Sequence, residues 1–168
     1  MGKQPMDSLP EVSTKGDVLI VDDMLPNLRL LSGMLKEEGY KVRGVSSGEM
    51  ALTVVNSVAP ELILLDINMP EMDGYEVCRR LKAEERTRSI PVIFISALDE
   101  VFDKVKAFGV GGVDYITKPV QIEEVLARVE NHLAIRNLQL ELQQANSLLE
   151  QRVEERTQEL KQRVQELE

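Results

Sequence analysis

Residues 62–74 read LILLDINMPEMDG, and they indicate which kind of sheet the chain forms. The first four of these residues are aliphatic, a pattern typical of a strand buried on both faces of a parallel sheet. Asp66 follows directly, and Pro70 and Gly74 predict a loop after it. Because open α/β sheets bind ligands beyond the carboxyl ends of their strands, Asp66 is a candidate site residue.

Four further strand-like apolar runs alternate with helical patterns along the chain. The five runs are residues 18–21, 40–45, 62–65, 92–95 and 113–116. Apolar residues recur at helical spacing in the segments that follow the first, fourth and fifth runs: Leu28, Leu31 and Leu35; Val101, Val105 and Phe108; and Ile122, Val125, Val129 and Leu133. This alternation predicts a doubly wound α/β fold, a five-stranded parallel sheet with helices on both faces and right-handed crossovers.

Composition limits the partners that the chain can have. Its 168 residues carry a net charge of -9, with 29 acidic against 20 basic side chains, which disfavours direct nucleic-acid binding and favours divalent cations. The single cysteine, Cys78, excludes an internal disulfide, and we expect it to be a small apolar residue on a helix face. Without a signal peptide or a membrane-length apolar run, the predicted location is cytoplasmic.

The chain divides into three predicted regions. Residues 1–16, rich in Pro, Ser, Lys and Gly, predict a flexible lead-in, and residues 17–133 predict one domain of five βα units. Residues 134–168 contain no glycine, proline or aromatic residue and predict a helix that continues the fifth helix of the domain. Counted from Gln121, that helix would be about 70 Å long.

The predicted long helix carries an apolar seam at coiled-coil spacing, which favours pairing with a second copy of the chain. The seam residues are Leu138, Leu142, Ala145, Leu149, Val153, Thr157, Leu160, Val164 and Leu167. Leu149, Val153 and Thr157 are spaced four apart, so the seam is locally rewound there. The alternative is a solvated helix with pairs such as Glu159 and Arg163. Since the sequence stops within a heptad, we expect an output domain beyond it.

Two further acids, Asp22 and Asp23, follow the first strand. If the first and third strands are neighbours, these acids lie beside Asp66, and three close carboxylates raise one another's pKa. Mg²⁺ prefers oxygen ligands of this kind and would relieve the repulsion. The alternative is that Asp22 or Asp23 only caps the helix that Pro26 opens.

Two other polar residues end neighbouring strands at the same edge. Ser96 ends the fourth strand and can donate a hydrogen bond to a phosphoryl oxygen, whereas Lys118 ends the fifth and can neutralise one. The bond between Lys118 and Pro119 can be cis, which would turn the lysine into the site. Four strand ends thus bring acids, a hydroxyl and an ammonium to one place, as a phosphoryl site requires.

Together these residues make the chain resemble the receiver domain of two-component response regulators. The motifs that carry the resemblance are Val21-Asp22-Asp23, Leu65-Asp66-Ile67-Asn68-Met69-Pro70 with Asp73-Gly74, Ser96-Ala97 and Tyr115-Ile116-Thr117-Lys118-Pro119. The resemblance covers residues 17–133. It implies a flavodoxin-like sheet with strand order 2-1-3-4-5. It also implies that the domain passes its signal through the helix after Leu133.

The resemblance also implies roles for the site residues. Asp66 would accept a phosphoryl group from a sensor histidine kinase or a phosphotransfer protein. Asp22, Asp23, Asp66 and the backbone carbonyl of Asn68 would hold Mg²⁺, and Ser96 and Lys118 would contact the phosphoryl group. Tyr115 would be the aromatic switch that turns inward with Ser96. Such a domain is a timed switch with only its own phosphorylation and dephosphorylation chemistry, not a turnover enzyme.

Other functions compete with this interpretation. A flavodoxin-like cofactor binder would need a Gly-rich or Ser/Thr-rich phosphate loop after the first strand, where this chain has Asp22 and Asp23. An aspartyl-nucleophile phosphatase would need a general acid where the chain has Asn68, and a stand-alone interaction module would have no output. A kinase module would need a phosphoacceptor motif around His132, which we expect instead to be a surface helix residue.

Overall fold

The computed structural model describes residues 14–97 and 104–167, where five strands alternate with five helices. The strands are β1 (Asp17–Val21), β2 (Lys41–Val45), β3 (Leu62–Asp66), β4 (Val92–Ala97) and β5 (Asp114–Lys118). The helices are α1 (Leu25–Glu37), α2 (Gly48–Ser57), α3 (Gly74–Ala83), α4 (Lys104–Gly109) and α5 (Ile122–Glu166). Residues 1–13 of the predicted lead-in, Val101 and Glu168 lie outside the described residues.

The sheet is parallel throughout, with strand order β2-β1-β3-β4-β5, which confirms the predicted doubly wound fold. Its register pairs Val21 with Leu65, and Asp66 with Ile95. At the far end of the sheet, Ala97 pairs with Lys118. The carboxyl ends of β1, β3, β4 and β5 therefore form one continuous edge.

Two apolar cores enclose the sheet, because the residues of β3 are buried on both faces. Leu62 and Leu64 pack in the core on the side of α1 and α5, whereas Ile63 and Leu65 pack on the other face with α2 and α3. The predicted stripes on α1 and α5 reach the first core through Leu31, Leu35, Val125, Val129 and Leu133. Cys78 is buried in the second core, as predicted.

The inward face predicted for the fourth helix is wrong. Val105 is 83% exposed and Phe108 is 49% exposed, whereas Ala107 is the residue that packs into the core. The physical reason is that the described part of α4 spans six residues, fewer than two turns, and an apolar spacing over so short a stretch does not define the buried side. The small side chain of Ala107 makes the close contact, and the outer face of α4 stays apolar.

The fold begins earlier than Asp17. The Lys15 amide donates to the carbonyl of Gly39 at 3.1 Å, and the Lys41 amide donates to the carbonyl of Gly16 at 2.9 Å. Gly16 is buried, and a Cβ built there would lie 2.8 Å from Cδ1 of Leu133. Lys15 and Gly16, assigned to the lead-in from the sequence, thus belong to the amino-terminal edge of the sheet.

Helix α5 extends far beyond the sheet. Its 45 residues correspond to about 67 Å, in agreement with the predicted long helix. Every residue from 137 to 166 is exposed, including the predicted seam, while the pairing of that seam stays a prediction. Among the described residues, no helix combines the length and the apolar character that crossing a membrane requires.

Gly74 lies where the loop after Asp66 turns back against the strand. Its amide donates to the carbonyl of Ile67 at 2.7 Å, and a Cβ built at this position would collide with the carbonyl oxygen of Asp66. The main chain thus leaves no space for a side chain.

We therefore predict that Gly74→Ala lowers the free energy of unfolding by roughly 1–3 kcal/mol, because the loop must move away from Asp66. Urea unfolding measures the change. The control is Gly33→Ala in α1, where nothing lies within 4 Å of the added Cβ and a helical alanine should stabilise by up to about 1 kcal/mol. Equal unfolding midpoints for the two variants would contradict this interpretation.

Candidate functional site

Three carboxylates meet at the carboxyl edge of the sheet. Asp22 follows β1 and is fully buried, Asp66 ends β3 and is 4% exposed, and Asp23 is half-buried beside them. One oxygen of each carboxylate lies within 4.8 Å of the others. The adjacency of β1 and β3 brings them together, as the sequence predicted.

Asp22 is held by two contacts. Its Oδ1 accepts a hydrogen bond from the Met24 amide at 2.9 Å, and its Oδ2 accepts one from Nζ of Lys118 at 3.2 Å. The N-cap of α1 is Met24, whose side chain makes no capping hydrogen bond. Neither Asp22 nor Asp23 is therefore the helix cap that the alternative interpretation required.

Lys118 brings a positive charge to this acidic edge. Its Nζ lies 3.5 Å from Oδ1 of Asp66 as well as close to Asp22, and the peptide bond to Pro119 is cis. Burial acts to lower the pKa of the Lys118 ammonium, but the charges of Asp66 and Asp22 outweigh it and hold this pKa above its usual value. The lysine is therefore charged.

Asp66 is the carboxyl group that the crowding affects most. Burial, followed by the negative charge of Asp22, raises the pKa of Asp66 to about 7, although Lys118 acts in the opposite direction. A hydrogen bond with Asp23 raises it further. One ammonium does not balance three carboxylates, so this edge favours additional positive charge.

The remaining predicted residues lie around this cluster. Ser96 is buried in β4 and pairs in register with Thr117, the residue before Lys118. Asn68 is exposed in the loop after β3. Tyr115 lies farther from the edge, half-buried on β5, with its ring edge toward Phe108 and Nζ of Lys104 4.9 Å from its centroid. The structure thus brings the acids and Lys118 into direct contact, with the others nearby.

One network was missed by the sequence analysis. Asp114 accepts from Nη1 of Arg128 at 2.7 and 2.8 Å, and Nε2 of His132 lies 2.9 Å from the same carboxylate. His132, expected to be a surface helix residue, is a residue of α5 that is partly buried, with 14% of its side chain exposed. The signal in the sequence is the four-residue spacing of Arg128 and His132, which places both on one face of a helix.

The donor set fits a hard divalent cation. Mg²⁺ takes one or two carboxylates together with other oxygen ligands, and Asp22, Asp23 and Asp66 offer such oxygens within one small volume. The raised pKa of Asp66 indicates the electrostatic conflict that a cation would remove. The edge can therefore hold a divalent cation.

Comparisons with known proteins agree on one family. The model of the response regulator receiver domain matches residues 18–130. The response regulator PleD of Caulobacter vibrioides is 42% identical over 114 residues, which cover 68% of this chain and 25% of PleD. A Vibrio cholerae protein named "Probable cyclic di-GMP phosphodiesterase" is 38% identical over 143 residues, 85% of this chain and 32% of its own.

Solved structures agree with this match. The receiver domain of a signal transduction histidine kinase from Syntrophus aciditrophicus superimposes with a TM-score of 0.66 at 37% identity, covering 71% of this chain and 90% of that structure. The chain thus corresponds to nearly all of a solved receiver domain, whereas it spans 25% of PleD and 32% of the Vibrio protein.

The shifted pKa of Asp66 makes stability depend on pH in metal-free buffer. Unfolded Asp titrates near pH 4, whereas folded Asp66 keeps its proton to about pH 7. Between pH 4 and pH 7 the folded state binds more protons than the unfolded state. The contribution of Asp66 to stability therefore falls as the pH rises.

We predict that raising the pH from 5 to 8 in EDTA lowers the urea midpoint of the wild type more than that of Asp66→Asn, which lacks this titration. Glu38→Gln, an exposed acid at the end of α1, should behave like the wild type. Parallel pH profiles for wild type and Asp66→Asn would show that Asp66 titrates normally.

Proposed function

The chain belongs to the response regulator receiver domain family, and we propose that its Asp66 accepts a phosphoryl group from a phosphohistidine. The donor is a sensor histidine kinase or a phosphotransfer protein. One observation carries the proposal: Asp66 is a buried carboxylate at the sheet edge, with Nζ of Lys118 3.5 Å away and Asp22 and Asp23 beside it. The receiver unit of this proposal spans residues 17–133.

The chemistry is an in-line transfer of a phosphoryl group. A carboxylate oxygen of Asp66 attacks phosphorus, the bond between phosphorus and the imidazole nitrogen breaks, and the imidazole leaves. Lys118 neutralises charge on the phosphoryl oxygens, and the Ser96 hydroxyl donates a hydrogen bond to one of them. Water later attacks the same phosphorus, which releases phosphate and restores the Asp66 carboxylate.

The acidic edge needs a cation for this chemistry. Three carboxylates would repel an incoming phosphoryl group, and Lys118 supplies only one positive charge. Asp22, Asp23, Asp66 and the backbone carbonyl of Asn68 would hold Mg²⁺. When bound, the metal supplies positive charge to the phosphoryl oxygens and orients them.

A cleft beside Lys118 supports a protein as the phosphoryl donor. It has a volume of about 130 Å³ and is lined by Asn27, Leu30, Leu31, Lys118, Pro119 and Val120. Met24, Leu25 and Leu30 leave about half of their surface exposed at the start of α1. An apolar rim next to the reacting carboxylate suits the apolar face of a partner helix.

Tyr115 and Ser96 form the proposed switch. Ser96 would move toward the phosphoryl group on Asp66, and Tyr115 would turn inward into the space that this movement leaves. Its ring now contacts Phe108 of α4 at a centroid distance of 6.5 Å. Because Val105 and Phe108 already expose apolar surface, a turn of Tyr115 would change the α4 side of the domain.

The helix beyond the domain is the proposed output path. Its seam leaves Leu142, Leu149, Val153 and Leu160 more than half exposed, so pairing with a second copy would bury them. The match to the Vibrio protein is longer than residues 1–133 and thus extends into this helix. We propose that phosphorylation changes the packing of the paired helices and so reaches an output domain of the same full-length protein.

We predict that acetyl phosphate with Mg²⁺ phosphorylates the wild type, and that Asp66→Asn abolishes the uptake because it removes the attacking oxygen. Phosphate-affinity electrophoresis measures the product, and EDTA should prevent its formation. The matched control is Asp73→Asn, which changes a nearby exposed acid to another good N-cap residue of α3 and should leave uptake intact.

Two results would reject this function. Uptake that persists in Asp66→Asn would place the phosphoryl group elsewhere. Sustained turnover of phosphomonoesters by the wild type would instead favour the aspartyl-nucleophile phosphatase.

We also predict that Leu149→Glu shifts the chain from dimer to monomer, because it places a charge in the seam. Light scattering after size-exclusion chromatography gives the molar mass. Leu148→Glu introduces the same charge next to the seam, at a residue that is also half exposed, and should remain dimeric. A wild type that is monomeric with and without beryllofluoride would contradict the pairing.

A further inference from the structure

A stripe of basic side chains follows one face of α5 near the point where the helix leaves the domain. Arg128, His132 and Arg136 are spaced four residues apart and therefore lie on the same face. The first two share the carboxylate of Asp114, at 2.7 and 2.9 Å. Among the described residues, no carboxylate forms such a salt bridge with Arg136.

Arg136 has a polar atom that lacks a partner. Its Nε is buried and makes no hydrogen bond within the described part of the chain. Leaving a buried charged donor unsatisfied is costly. The Arg136 charge is thus not neutralised by any described side chain, and an anion in the adjacent groove would neutralise it.

The space beside Arg136 is a groove between α5 and the connection from α3 to β4. Its volume is about 300 Å³, and its polar lining comes from Lys82, Arg88, Ser89, His132, Arg136 and Gln139. None of the described residues that line it is acidic, although the chain carries 29 acids. A basic groove in a chain of net charge -9 should attract anions locally.

Backbone contacts hold two of the cations in place. Nζ of Lys82 donates to the carbonyls of Arg88 and Ile90, and Nε of Arg88 donates to the carbonyl of Lys82 at 3.1 Å. The terminal nitrogens of Arg88 are outside these bonds. Arg88, in the connection from α3 to β4, and Arg136, in α5, thus line the same groove.

We propose that this groove binds the phosphate group of a small molecule, with Arg88 and Arg136 as its principal ligands. Guanidinium groups form paired hydrogen bonds with phosphate oxygens. No acidic residue among those that line the groove competes for these donors. Val113 and Ile135 are both about 40% exposed at the groove and can contact an organic part of the ligand. Free phosphate and a phosphate ester share this chemistry.

The groove is separate from the Asp66 site. Pro91 and Val113, which precede β4 and β5, line it, so it lies at the amino-terminal edge of the sheet, opposite Asp66. All residues of α5 after Arg136 are exposed. A bound phosphate would therefore join the last partly buried residue of the helix to the turn after α3 and restrain the direction in which the helix leaves.

Calorimetric titration of the full chain in EDTA tests the site, with inorganic phosphate and adenosine 5′-monophosphate as probes at constant ionic strength. We expect at least one probe to bind with a Kd of about 1 mM or tighter. Arg136→Gln and Arg88→Gln should each weaken binding at least about tenfold, since each removes a charged hydrogen-bond donor. Tighter binding of the nucleotide than of phosphate would identify an ester as the ligand.

The controls separate this site from Asp66 and from net charge. Arg156→Gln removes the same charge from an exposed part of α5 and should bind like the wild type, as should Asp66→Asn. Circular dichroism shows whether each variant is folded, and phosphorylation of Asp66 gives a second check for the variants that keep this residue. The inference is overturned if neither probe binds at 10 mM, or if both folded groove variants bind like the wild type.

Discussion

The repulsion among three carboxylates at one sheet edge is the constraint on which the rest of the site depends. Asp22, Asp23 and Asp66 have oxygens within 4.8 Å of one another, and Lys118 is the one cation among the described residues that forms a salt bridge with them. The sheet keeps them together because β3 is buried on both faces and its end cannot move away. A rigid apolar scaffold thus maintains an arrangement that the side chains alone would not adopt.

The same arrangement supports the phosphoryl transfer that we propose for this site. Without a cation, burial and then the charge of Asp22 raise the pKa of Asp66 to about 7, so the carboxyl group keeps a proton to higher pH than a free aspartate does. Additional positive charge replaces that proton and leaves the carboxylate free to react. In the proposed mechanism, a bound cation would balance the charge around Asp66 and so couple its phosphorylation to metal binding.

Much of this could be predicted from the sequence, because strand order and loop positions have local signals. The aliphatic run before Asp66 predicts a central strand, and polar residues after neighbouring strands must meet at one edge. Contacts between distant segments have no such signal. The Asp114 network with Arg128 and His132 depends on how α5 packs beside β5. The buried side of the short helix α4 likewise depends on tertiary packing.

Helix α5 connects the two halves of the proposed mechanism. Its first turns pack through Val125, Val129 and Leu133, and its remaining length is exposed. Since Arg128 and His132 bind Asp114 at the start of β5, the helix is fixed to the strand that carries Tyr115 and Lys118. A change at the carboxyl edge can thus reach the helix through β5 without requiring the domain to unfold.

The most direct measurement of the central claim is a calorimetric titration of Mg²⁺ into the metal-free chain. The crowded carboxylates predict one Mg²⁺ per chain, with affinity lowered at least about tenfold by Asp22→Asn and unchanged by Glu38→Gln, an exposed acid at the opposite edge. Equal affinities for all three proteins, or no binding at all, would contradict the account.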